Sequence, residues 1–394
     1  NRRGNYILLH HKEIVNTTNM KIHQEKRLKD GTWENVQNGK LVRPLVLVFG
    51  DRFLLEDKTV FEEIRDRYPD GELVFGSTSG EILDTHVYEG TIAVTAIQFE
   101  RTSFTIVREN VSDFGTIEAM GSAISNQLDK EGLRHVFVIS DGSFVNGSGL
   151  IEGLESNRTY VATTTGGLCG DGTRFEKTLA SYNELPKQGE VIAIGFYGEN
   201  LEVSYANYGG WTPFGPERTI TKSKENVLYE IDGQPALDLY KKYLGDKAKE
   251  LPQAALLYPL TVQQTEDAEP LVRTILNIDE SANSMILAGD VPENAKVQLM
   301  MSTMDDIANG AYHAAKLAMQ SRKDKPELAI LVSCVGRRLV LAERTEEEIE
   351  EVYEVVGDQA KLTGFYSYGE MAPFAGKSAC QLHNQTMTLT LMSE

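Results

Sequence analysis

Cysteine is scarce in this chain, with three in 394 residues. Cys169, Cys334 and Cys380 are odd in number, far apart and in no CxxC pairing. That argues against a disulfide framework and for a reducing compartment, the cytoplasm. Long apolar runs are missing too: nothing approaches the ~18 residues that cross a bilayer. Residues 1–19 hold Ile7-Leu8-Leu9 but lack the apolar core and small-residue cleavage site of a signal peptide. With Asn first and Met20 opening a more globular run, they read as leader or vector-derived sequence. Basic residues are outnumbered, 39 against 58 acidic, for a formal charge of −19. Such an excess argues against nucleic-acid or anionic-membrane partners. The chain has no GxxxxGK[ST] phosphate loop and no HExxH. Gly76-Ser77-Thr78-Ser79-Gly80 imitates the nucleophile elbow GxSxG, but Thr78 holds the centre and no base stands beside it. Gly167 to Gly172 has its glycines in the wrong order for GxGxxG, and tight turning explains them.

An apolar fraction of 41% and a charged fraction of 25% are those of a folded protein. The length suits two domains. One unit recurs along the chain. Leu45–Phe49 reads as a strand ended by Gly50. A helix with Val60, Ile64 and Tyr68 on one face stops at Pro69. The strand Leu73–Phe75 enters the turn Gly76–Glu81, and the strand Ile92–Ile97 follows. A second copy runs through Val136–Ile139, Ser140-Asp141-Gly142, Tyr160–Thr163, the turn Gly166–Gly172 and Val191–Ile194. A third runs through Leu328–Val332, Ser333-Cys334-Val335-Gly336 and a helix carrying Ile349, Val352, Tyr353 and Val356. It ends in the turn Ser367–Glu370 and the strand Thr386–Leu391. Gly50 to Gly76 spans 26 residues, Gly142 to Gly166 spans 24 and Gly336 to Gly364 spans 28. Near-constant spacing of this kind predicts internal duplication. Thr345 is expected to cap the third helix, with Glu348 closing a capping box. Between copies two and three, Leu271–Ile278, Ser284–Ala288 and Lys296–Met300 read as strands and Met304–Gln320 as a helix. A boundary is expected near Tyr240–Pro252, after a charged helix at Leu237–Leu244. The fold class is therefore α/β: two modules of mixed, largely antiparallel sheets flanked by helices, built from strand-helix-strand-turn-strand units.

Side chains able to do chemistry gather near the C-terminus, in Gly364–Glu370 and Cys380–Thr386. Glu81, Asp171 and Glu370 each follow a glycine turn. They either line one cleft, where they would hold the ammonium or hydroxyl groups of a small ligand, or satisfy the backbone of their own turns. Cys334 precedes Arg337 and Arg338, and nearby arginine favours a thiolate, whereas burial leaves a thiol inert. Arg337, Arg338 and Arg273 are each either a solvated surface charge or a partner for a ligand carboxylate, which a guanidinium grips with two parallel hydrogen bonds. Tyr366 and Asn384 would orient the ligand. His383, the one histidine in this constellation, is either a hydrogen-bonded wall residue or a metal or haem ligand. Asn16, Asn110, Asn146, Asn157 and Asn384 sit in glycosylation sequons, which mean little without a secretion signal.

Together these motifs resemble a known family. Phe75–Ile82, Gly166–Gly172 with Phe175 and Thr178, and Asp232–Ala236 leading into Tyr243-Leu244-Gly245 are similar to the N-terminal half of the FIST sensory family. Ser333–Arg337, Gly364–Glu370 and Cys380–Thr386 are similar to its C-terminal half. The resemblance runs from about Lys21 to Glu394, and it implies a FIST N-terminal domain over 20–245 and a C-terminal domain over 246–394. The family's turn carries a cysteine before Ser-Thr. Phe75-Gly76 stands there instead, so no thiol role is carried over. The resemblance implies a bacterial, cytoplasmic sensor rather than an enzyme, binding an amino-acid-like molecule between its halves and signalling to a partner. Its ligand residues would be Arg337, Tyr366, Glu370, His383, Asn384, Cys334, Glu81 and Asp171. One branch of the family implies an alternative: a haem-bound nitric oxide sensor, with His383 on the iron, controlling a histidine kinase or a cyclic-di-GMP enzyme. A thiol-dependent enzyme using Cys334 is the third reading.

Overall fold

The computed structural model describes residues 19–156, 162–320 and 322–394. The leader reading of residues 1–18, the sequons at Asn16 and Asn157 and the start of the strand expected at Tyr160 lie outside them. Three pairs of parallel strands organise the fold. Unit I pairs Leu45–Gly50 with Glu72–Ser77 through the helix Lys58–Arg67. Unit II pairs Leu133–Ser140 with Thr163–Leu168 through the helix Gly147–Ser156. Unit III pairs Leu328–Cys334 with Lys361–Ser367, with the helix Glu347–Val356 between them. Each first strand has an antiparallel neighbour on its other side: Ile92–Gln98, Glu190–Tyr197 and Met387–Ser393. Beyond these lie Lys21–Arg27, Ser103–Asn110 and Glu202–Tyr208.

The segment after each glycine turn leaves its own unit. Glu81–Leu83 of unit I adds to the second strand of unit III. Gly369–Pro373 of unit III adds to that of unit II. Ala180–Tyr182 of unit II adds to that of unit I. The exchange closes a three-membered cycle, and three six-stranded sheets result. Leu47, Phe49 and Val74, Phe137, Ile139 and Ile194, and Ile330, Val332 and Phe365 meet in one shared core. The opposite faces lie under helices in separate clusters, one for each unit. Strands buried on both faces read as continuous apolar runs rather than alternating ones, which is why Leu45–Phe49 and Leu328–Val332 stood out.

A fourth, eight-stranded sheet includes Thr212–Lys224, Val227–Ile231, Leu260–Gln263 and Lys296–Met301, so its strands come from both sides of residue 245. Its core packs on the helix Ala236–Leu244. Two local expectations fail. The single strand Leu271–Ile278 is two strands, Leu271–Arg273 and Ile275–Asp279, which occupy opposite ends of this sheet on either side of the buried Thr274. The capping box also does not form: the helix starts at Glu347, the Thr345 hydroxyl bonds the Ala342 carbonyl, and Glu348 turns into the core. There it pairs with Arg337 and accepts from the Ser333 and Tyr366 hydroxyls. Among the described residues no helix is long and apolar enough to cross a membrane.

Candidate functional site

The strand exchange forces the three glycine corners together. Ser79 N–H donates to the Tyr366 carbonyl at 2.8 Å, and Tyr366 N–H donates back to the Gly80 carbonyl at 2.9 Å. Gly170 N–H reaches the Ser77 carbonyl at 2.9 Å and Tyr368 N–H the Leu168 carbonyl at 3.1 Å. Two of the three acids are equivalents. Glu81 accepts from the Thr78 hydroxyl (2.6 Å) and the Thr91 hydroxyl (2.8 Å). Glu370 accepts from the Ser367 hydroxyl (2.6 Å) and the Thr386 hydroxyl (3.0 Å). Burial lifts both carboxyls to about 8, against the pull of those donors. Asp171 differs: it is buried and held by Arg52 Nε at 2.9 Å and Arg174 Nη2 at 2.6 Å. Glu81, Asp171 and Glu370 thus come from corners that meet, and each carboxylate has its hydrogen bonds supplied from within the protein.

Arg337 and Tyr366 belong to another network. Arg337 is fully buried, with Nε 3.0 Å and Nη2 2.8 Å from Glu348 Oε2, and it also donates to the Ile307 and Gly209 carbonyls. Tyr366 Oη (2.6 Å) and Ser333 Oγ (3.0 Å) donate to the other carboxylate oxygen of Glu348. Cys334 is buried, and burial, with the Glu370 carboxylate nearby, pushes its thiol up, outweighing the opposite effect of Arg337. His383 stands opposite Glu370 on the paired strand Cys380–His383. Burial pushes its imidazole down to about 4, Nε2 donates to the Ala372 carbonyl at 2.9 Å, and the ring packs edge-on against Phe374. A haem iron would have to displace the Ala372 carbonyl to take this nitrogen, and the ring is buried and outside the lining of the large cavity beside the fourth sheet, so the site does not fit the group. Asn384 Nδ2 donates to the His383 carbonyl, while its buried Oδ1 lacks a partner among the described residues.

A cavity of about 820 Å³ opens elsewhere, between the fourth sheet, the helix Gly147–Ser156 and the hairpin that joins Gly369–Pro373 to Cys380–His383. Val262, Leu271, Val291 and Phe374 supply its apolar wall. Arg273 also lines it and is only 5% exposed. The guanidinium donates from Nη1 to the Leu382 carbonyl (2.9 Å) and from Nε to the Asp290 carbonyl (3.2 Å). Nη2 makes no hydrogen bond among the described residues, and the nearby Asp290 carboxylate favours the charged form without bonding to it. Burial pushes the guanidinium down to about 10, against the opposite effect of the Asp290 carboxylate, an unusual position for arginine. Its place in an apolar run marked Arg273 in the sequence, although it ends the strand Leu271–Arg273 rather than standing in the middle of one. The rest of the cavity wall comes from residues 148–152, 223–225, 262–293 and 374–381, segments whose proximity no local pattern announces.

No curated protein matches the sequence. Among solved structures, a cyanuric acid hydrolase from A. caulinodans aligns at 9% identity over 74% of this chain and 99% of that one. Its TM-score of 0.18 is too low to carry any argument. Family comparison is decisive: the FIST N domain matches residues 44–234 and the FIST C domain residues 236–373. The chain belongs to the FIST family, whose domains serve small-ligand sensing.

Proposed function

We propose that this protein binds an amino-acid-like molecule in the cavity beside Arg273 and passes its occupancy to a partner protein. The observation that carries the reading is Arg273 itself. A buried cation whose hydrogen bonds all go to carbonyls, with Asp290 as its one nearby carboxylate, is costly to maintain, and a ligand carboxylate would add counter-charge. The cavity also draws its wall from both family halves: Ser148, Glu152, Ser223 and Glu225 lie in the N domain, Val262 to Glu293 in the C domain. Ligand binding there favours one arrangement of the fourth sheet relative to units II and III, and a partner reads that shift in population. Glu370 and His383 lie on the hairpin that forms one wall and carry the change toward the corners.

Thermal melting with free amino acids and short peptides tests the reading. Saturation at about 100 times Kd stabilises the native state by about 2.7 kcal/mol. Arg273→Gln should remove the effect. If no such compound raises the melting midpoint of the unmodified protein, the reading fails.

A further inference from the structure

The charges around the cavity are unbalanced in a way that a simple neutral amino acid does not answer. Arg273 lines the cavity, 5% exposed, and its Nη2 has no protein partner among the described residues. The rim carries Glu152, Glu225, Asp267, Glu269 and Glu293, all exposed, and half-buried Asp290 lines the cavity too. None of the six joins an ion pair among the described residues, and the lining holds just one further cation, exposed Lys377. Carboxylates crowded round one opening repel each other, and a cation entering between them relieves that repulsion. The low-dielectric wall concentrates the field in the cleft. The volume, about 820 Å³, lies in the upper part of the ~300–1,000 Å³ range of pockets that enclose drug-sized ligands.

We propose that the cavity takes a short basic peptide with a free carboxy terminus, whose carboxylate docks on Arg273 and whose lysine or arginine head groups meet the acidic rim. This deepens the small-ligand reading and rests on it. A polyamine lacks the anion that Arg273 calls for. A nucleotide or an acidic peptide brings negative charge into a negative mouth. Val262, Leu271 and Phe374 offer apolar surface for the aliphatic stems of basic side chains while their charged ends reach the rim.

Calorimetric titration of the full chain with tri-lysine, tri-lysine amide, tri-glutamate and single amino acids tests the proposal. Tri-lysine should bind, with affinity falling as salt rises, and tri-glutamate should not. Amidation should weaken binding at least tenfold in the unmodified protein. In Arg273→Gln the free acid and the amide should bind alike. Glu225→Gln with Glu293→Gln, both at exposed positions, should weaken tri-lysine several-fold without lowering the melting midpoint of the free protein. Equal binding of acid and amide to the unmodified protein, or tighter binding of tri-glutamate, overturns the proposal. Single neutral amino acids binding through Arg273 while tri-lysine does not would sink the peptide assignment and leave the small-ligand reading standing. If nothing binds, both fall.

Discussion

Glu81 and Glu370 show how a side chain's meaning depends on what surrounds it. Both looked equally suited to a ligand ammonium or to the backbone of their own turns. In the fold each is enclosed by hydroxyls, Thr78 and Thr91 or Ser367 and Thr386, and is raised to about 8 by burial. Between the ordinary 4.5 and about 8, the folded carboxyl keeps a proton that the unfolded chain releases. Stability contributed by these groups is therefore complete below about 4.5 and declines as pH rises through that window. Denaturant midpoints measured from pH 5 to 9 should fall, and Glu81→Gln with Glu370→Gln should flatten the slope. A slope unchanged by the pair of substitutions would rule out this assignment. Glu348 teaches the same lesson in reverse, since a residue that looked like a surface cap is the buried partner of Arg337.

At the scale of elements, the strands were legible because burial on both faces leaves uninterrupted apolar runs. The glycines after them were legible as turns, but their necessity is tertiary. Gly364 has φ +156°, and a Cβ there would lie 1.8 Å from the Leu331 carbonyl oxygen on the parallel strand. Gly166 stands 2.0 Å from the Val138 carbonyl in the same sense. Gly364→Ala should cost more than about 3 kcal/mol or prevent folding, because both the dihedral and the backbone contact forbid it. Gly115→Ala, where a Cβ meets nothing within 4 Å, should stay within about 0.5 kcal/mol. Comparable urea midpoints for the two variants would contradict the close approach. The split of Leu271–Ile278 escaped the sequence reading because both pieces are apolar and nothing local marks Thr274 as the place where the chain changes strand.

Across the whole molecule, the cyclic exchange makes each unit depend on another. Gly369–Pro373 completes the sheet of unit II, Glu81–Leu83 that of unit III, and Glu202–Tyr208 covers Met387–Ser393. Residues 20–235 and 236–394 expressed apart would each expose unpaired strand edges and a share of the common core. Each should be insoluble or molten alone, and co-expression should recover soluble protein with native near-ultraviolet circular dichroism. A half that is folded and monomeric by itself would show that the exchanged strands are dispensable. The cavity beside Arg273 belongs to this scale too, since its wall is assembled from four separate stretches of chain.

What the chain's order of residues determined alone was the repeated unit, its strands and helices, its glycine corners and its family, because apolar periodicity and turn chemistry act over short distances. Tertiary structure decided which unit each corner segment would join, which acids would be sealed in and which arginine would be buried with no carboxylate bonded to it. Those outcomes depend on how separate segments pair and bury one another, where desolvation and partner geometry, rather than local propensity, set the energy.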